Sequence, residues 1–153
     1  MTEALVANNA LPATPPDIID KIREVEARIR PHEHTLQVQT EHILHAGMYS
    51  RTIRVAEMMA FTSVLIKIPT ILTVNGKCCV FAGDRWHTLE GYNVIPASAG
   101  RKQIYVTLEP TEITMTFPSE AKTVAEAEAE FTDEHEMLLT RRRGSDLITV
   151  TGL

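Results

Sequence analysis

The 153 residues suffice for one hydrophobic core, since a domain of this length buries roughly 70% of the surface its unfolded chain exposes, and they leave too little chain for two. With 44% hydrophobic and 23% charged residues the composition excludes general disorder, and a net charge of -5 provides no basic field to draw in nucleic acid. No apolar run reaches the length of a signal core or membrane span, so no membrane partner is expected.

In chain order, residues 1–34 read as an extended amino-terminal arm followed by a short amphipathic helix. Asn8-Asn9, Pro12 and Pro15-Pro16 interrupt the arm too often for a packed element. Pro16 and Asp17 then suit a first helical turn, and Ile18, Ile22, Val25 and Ile29 fall along one helix face before Pro31 ends it. That stripe could cover an opening in the chain's own core or meet its copies in a short coil, and these four residues are the candidate contact surface.

Residues 35–120 change to a strand rhythm. Thr35–Thr40 and Arg51–Val55 alternate polar and apolar positions, and the apolar run Phe61–Ile68 predicts a strand buried on both sides. Thr70–Val74 leads into Asn75-Gly76, a tight-hairpin signal, with Lys77–Phe81 returning and Ala82-Gly83-Asp84 as the next turn. Trp86–Leu89, Tyr92–Ile95, Gln103–Leu108 and Ile113–Phe117 complete short strands spaced for an antiparallel sandwich or barrel. The adjacent Cys78-Cys79 face opposite sides of a strand and are expected to be reduced.

Residues 121–153 return to helix and end in a strand. Thr123 and Glu126 form a capping box, Asp133–Arg143 carries strong helix formers up to Gly144, and Arg141-Arg142-Arg143 suits a helix carboxyl end. Asp146–Thr151 alternates and predicts an edge strand added to this subunit or a neighbour.

His45–Arg51, the Asn75-Gly76 region and Ile95–Lys102 resemble the small cupin-like proteins encoded in tailed-phage genomes, and Thr123–Glu128 with Phe131–Glu134 resembles the tail of the same group. The resemblance covers residues 45–117 and the later stretch, and implies a mainly β, cupin-like jelly roll with a short amino-terminal helix and carboxyl-terminal helical segments. Metal-binding cupins place two histidines at i and i+2 on one strand face, then a glutamate and a further histidine. Here Lys67–Leu72 stands at the first motif without a ligand, and the second motif appears as Pro96, Gly100 and Gln103. The resemblance therefore implies an inner cavity lined by apolar and amide groups, with no cofactor.

Other candidates stand outside the resemblance. His32, His34, His42 and His45 lie within fourteen residues and could form a transition-metal site if the fold joined them. His87 is expected on a hairpin surface and His135 in a helix among acids. Asp84 with Glu90, or Glu109 with Glu112, could pair as acid and base, and Trp86 and Tyr92 could stack on a sugar. No phosphate loop, nucleophile elbow or zinc-protease helix is present. The expectation is a non-enzymatic virion structural protein of the head, neck or tail, made in the host cytoplasm. It would be a homo-oligomer contacting other virion proteins through the amino-terminal arm. A metal-dependent cupin enzyme acting on a small sugar or acid, and a module binding a host surface glycan, are the alternatives.

Overall fold

The computed structural model describes residues 10–36, 38–138 and 146–151. Residues 1–9, Arg141-Arg142-Arg143 and Gly144 lie outside them, as does the side chain of His34. The described chain runs α1 (Pro16–Ile29), a 3-10 turn (Arg30–Thr35), β1 (Val38–His45), β2 (Met48–Val55), β3 (Ala60–Thr62), β4 (Thr70–Ala82) and β5 (Arg85–Ala97). It continues through β6 (Ile104–Thr107), β7 (Thr111–Pro118), α2 (Val124–Phe131), a second 3-10 turn (His135–Met137) and β8 (Asp146–Thr151). The strands form one curled mixed sheet in the order β3-β6-β4-β7-β2-β1-β8, with β5 on β4, so the protein has the mainly β jelly-roll architecture expected. All pairs are antiparallel except β1 with β8.

Residues 10–14 are extended against the barrel. Leu11 is fully buried and bridges Ala97, with its N–H on Pro96 O at 2.7 Å and its carbonyl accepting from Ser98 N at 2.9 Å. Helix α1 follows, opened by Pro at its first position and Asp17 in its first turn, and Pro31 tightens its end into the 3-10 turn. Ile22 is only 1% exposed and Ile18, Val25 and Ile29 are half-buried, while Glu26 Oε2 accepts from Thr62 Oγ1 on β3 at 2.7 Å. Within the subunit the stripe lies across the barrel mouth, seated by Ile22.

Asn75-Gly76 does not form a hairpin turn. Both residues lie inside β4, which runs unbroken opposite β5 with Asn75 paired to Tyr92 and Gly76 to Gly91; the reversal is made by Gly83-Asp84. The glycine serves a close approach. Its φ is +142°, and a Cβ there would lie 2.6 Å from Pro110 O and 2.8 Å from Thr111 Cα. At this point β4 changes partner on its other edge, from β7 over Ile71–Asn75 to β6 over Cys78–Phe81, which makes Gly76 a barrel corner. The same continuity merges Trp86–Leu89 and Tyr92–Ile95 into one strand and turns His87 inward, where it is 4% exposed and not on a hairpin surface.

Two further stretches differ from expectation. Of the run Phe61–Ile68 only Phe61 and Thr62, the end of β3, lie in a named strand, because the backbone beyond it serves other partners: Leu65 N donates to Glu134 Oε1 at 2.7 Å and Lys67 N to Phe131 O at 2.9 Å. Glu126 N donates to Thr123 Oγ1 at 3.2 Å, half of the expected capping box, while its carboxylate accepts from Lys122 N at 3.3 Å. Helix α2 stops at Phe131, since Thr132 Oγ1 donates to Leu65 O at 2.7 Å and accepts from Glu134 N at 3.0 Å, which holds the chain extended; of the helix expected from Asp133, the described part is a 3-10 turn.

Burial on the inner faces is continuous, from Leu44, Tyr49, Leu72, Val74, Val80 and Leu89 to Phe117 and Phe131. Gly76→Ala is expected to lower stability by about 3 kcal/mol in urea unfolding. Gly47→Ala at the β1–β2 turn, where φ is +73° but nothing lies within 4 Å, should cost about 1 kcal/mol; equal losses would contradict the corner.

Candidate functional site

The site is built from one extended segment. Ile66 N donates to Arg101 O at 2.9 Å, Gly100 N to Ile66 O at 2.8 Å and Ser63 N to Gln103 O at 2.9 Å along one edge. Along the other edge Thr14 N donates to Gly100 O at 2.9 Å, while Thr14 Oγ1 donates to Lys102 O at 3.0 Å and accepts from Lys102 N at 2.9 Å. Extended backbone alternates its side chains, so Arg101, Gln103 and Tyr105 turn into the barrel and Lys102 turns away.

The inward side opens on a cavity of about 120 Å³ whose wall is mostly apolar, with Ile53, Val55, Phe61, Leu72, Ile113 and Met115 among its lining. Arg101 is fully buried. Its Nη1 donates to Ser98 O at 2.9 Å and more weakly to Ile68 O at 3.4 Å; Nη2 donates to Thr70 Oγ1 at 2.8 Å and faces Met115 Sδ at 3.6 Å. Nε has no hydrogen-bond partner among the described residues, nor has Gln103 Nε2, although Tyr105 O–H donates weakly to Gln103 Oε1 at 3.4 Å. Burial pulls the Arg101 pKa below its ordinary value, opposed by Tyr105, and burial pushes the Tyr105 hydroxyl upward, so its proton stays on. Arg51 joins the wall with its guanidinium 3.7 Å from Glu128 and 5.8 Å from the Phe131 ring centre.

Lys102, reaching the opposite way, is also almost wholly buried but well compensated. Its Nζ donates to Glu26 Oε2 at 3.0 Å and Ser63 O at 2.7 Å and lies 3.8 Å from Glu134. Glu26 extends the network to Arg30 at 3.7 Å and Glu134 to Arg23 at 3.5 Å, which fastens α1 and the second 3-10 turn over the mouth.

A separate polar group ties β8 to the barrel. His42 is fully buried on β1, with Nε2 2.9 Å from Asp146 Oδ2 and Nδ1 2.7 Å from Tyr49 Oη. A carboxylate only accepts, so Nε2–H donates to Asp146; burial holds the Tyr49 proton in place, so Tyr49 donates to Nδ1. Burial lowers the His42 pKa, aided by Arg51 and opposed by Asp146 and Glu128.

Of the four clustered histidines, His32, His42 and His45 are not brought together, and the side chain of His34 lies outside the described residues. His32 sits exposed in the 3-10 turn, while His42 and His45, three apart on β1, face opposite sides of the sheet; His45 Nδ1 is 3.0 Å from Thr151 Oγ1. Trp86 packs edge-on against Phe81 at 5.4 Å, and Tyr92 stands exposed on the same face of β5, six residues and roughly 20 Å further along. Asp84 and Glu90 lie at opposite ends of that stretch, and Glu112 is held by Arg54 at 2.8 Å. Cys78 is buried and its thiol is pushed up to about 11 by burial and by Cys79; both cysteines are free.

Among the described residues no group of three or more His, Cys, Asp or Glu is placed to hold a metal ion. The interior also does not fit one: Leu72 and Gln103 occupy the two motif regions, and the buried Arg101 guanidinium beside them repels a cation. The expected apolar and amide lining is present, joined by the guanidinium groups of Arg51 and Arg101, which sequence reasoning did not place inside. The available signal was the alternation Arg101, Gln103, Tyr105 following the Pro96–Gly100 turn.

No protein-family model and no curated protein matches the chain. Similar solved structures include a cupin superfamily protein from Desulfitobacterium hafniense, 10% identical over 55% of this chain and 79% of that one, with a TM-score of 0.46. They also include KdgF from Halomonas sp., 16% identical over 59% and 92% with a TM-score of 0.45, and a cupin-2 domain from Rhodospirillum rubrum, 13% identical over 68% and 77% with a TM-score of 0.40. The jelly-roll assignment rests on the strand pairing itself. No described helix is long and apolar enough to cross a membrane.

The folded state resists protonating His42, whereas the unfolded chain takes up that proton at an ordinary pKa near 6.5. Stability from this group is therefore complete above the unfolded pKa and falls as pH drops below it. The thermal midpoint of the wild type should fall between about pH 7.5 and 5.5 more steeply than that of His42→Gln; parallel slopes would contradict the assignment.

Proposed function

We propose that the chain works by binding and assembly, as a homo-oligomeric structural component of a tailed-phage particle, carried in the virion with other virion proteins as its partners. The observation that carries the assembly reading is strand β8. Among the described residues it ends the sheet, all six of its residues are exposed, and each face carries exposed apolar side chains: Leu147 at 52% alongside threonines on one, Ile148 at 56% and Val150 at 40% on the other. An edge strand of this composition is a template for pairing with another chain, and proteins that stay monomeric cover or charge such edges. His42 and Asp146 hold the strand in register for that use.

The arm also bears on this reading. From Leu11 to Thr14 it belongs to this subunit's own barrel, so contacts with other virion proteins fall to residues before it. The phage origin is carried by the sequence resemblance at His45–Arg51, Ile95–Lys102 and Thr123–Glu128. The metal-dependent enzyme is disfavoured by the cationic lining described above. The separation of Trp86 from Tyr92, and the engagement of Trp86 with Phe81, offer no joined platform for a sugar ring.

Light scattering on purified protein at tens of micromolar is expected to give an oligomer that Ile148→Glu breaks into monomers with an unchanged circular dichroism spectrum. A monomeric wild type would end the edge-pairing reading. Mass spectrometry of purified particles should find the protein; abundance in infected cells with absence from particles would end the virion role.

A further inference from the structure

The charges buried in this barrel follow a pattern with one exception. Lys102 faces Glu26 and Glu134, Arg51 faces Glu128, and Arg54 at the surface is held by Glu41 and Glu112. Arg101 is as deeply buried as any of them, yet no carboxylate among the described residues pairs with it, and its neighbours are carbonyls, a hydroxyl and a thioether. A buried guanidinium compensated only by dipoles carries an unmet electrostatic demand. Its free donor and its weakly engaged one share one edge. Nε has no acceptor, and adjacent Nη2 has, besides Thr70, only the weakly accepting sulfur of Met115. That edge is the one a carboxylate takes with two parallel hydrogen bonds.

Gln103 supplies a second, independent donor. It follows Arg101 by one alternation, is 1% exposed, lines the same cavity, and its Nε2 has no partner among the described residues. The rest of the wall is mostly apolar, from Leu72 and Ile113 to Val55 and Phe61, with Arg51, Glu26 and Glu33 also lining it. An apolar cavity of about 150 Å³ accommodates a benzene ring, so the ≈ 120 Å³ here suits a body of a few carbons. We propose that the barrel cavity is a binding site for a small monocarboxylate with a short aliphatic body, its carboxylate on Arg101 and Gln103 and its carbons against the apolar wall. The site lies inside the subunit, away from the β8 edge, so it is independent of the assembly reading and stands or falls without it.

Calorimetric titration of the full chain with butyrate, and with butyramide as its neutral isostere, tests this. Butyrate is expected to bind saturably with a Kd of about 1 mM or tighter, and butyramide at least about tenfold more weakly. At a hundredfold excess over Kd, butyrate should raise the thermal midpoint by about 5 °C. Gln103→Leu, which keeps the volume and removes the donor, should weaken butyrate about tenfold, and Arg101→Met should abolish binding. Equal affinity for acid and amide would overturn the proposal, as would absence of any heat or midpoint shift up to about 100 mM butyrate, or wild-type affinity in Arg101→Met. Should Arg101→Met not fold, the acid-to-amide ratio and Gln103→Leu decide the matter.

Discussion

The backbone from Gly100 to Gln103 is hydrogen-bonded along both edges, to Thr14 on one side and to Ser63 and Ile66 on the other. A strand held that way has no freedom to rotate, so its alternation is fixed and a one-residue slip would exchange the two faces. With this register Arg101 and Gln103 enter the barrel and Lys102 passes under α1. With the other, Lys102 would lose Glu26 and the cavity would gain an ammonium. The clamp thus links the amino-terminal segment, the helix at the mouth and the chemistry of the interior.

The two buried cations it places have different consequences. Lys102, compensated by Glu26, joins α1 to the barrel, and removing one partner of such a pair costs about 3 kcal/mol or more because the other is left buried. Arg101 is held by dipoles alone within the described residues, and its field acts on the barrel cavity it lines. The interior is therefore suited to an anion rather than to a cation.

Much of the fold was legible in the sequence. Helix α1 followed from Pro16, Asp17 and the four-three-four spacing of its apolar residues, and most strands from alternation and turn residues. The errors came where a tertiary contact overrode a local signal. Asn75-Gly76 reads as a turn, yet the glycine is there because Pro110 and Thr111 press on it, a contact invisible along the chain. Phe61–Ile68 reads as a strand, yet its backbone is claimed by Glu134 and Phe131, some 65 residues on. His87 went inward for the same reason that β5 is continuous. Of the site, Gln103 was legible as a motif position, whereas Arg101 was not, because adjacent Arg and Lys look like a solvated pair until the clamp separates their faces. Asp146 joins His42 only through the parallel pairing of β8 with β1, which local pattern does not encode, whereas Tyr49 reaches it across the β1–β2 hairpin.

At the centre of this account is a barrel interior that carries a buried guanidinium and, among the described residues, no cluster of metal ligands. The most direct test is elemental analysis of the protein purified without chelators from cells supplied with iron, manganese, nickel and zinc. The expected result is less than about a tenth of a transition-metal ion per chain. One tightly held ion per chain, retained on dialysis and lost when Arg101 or Gln103 is substituted, would contradict it.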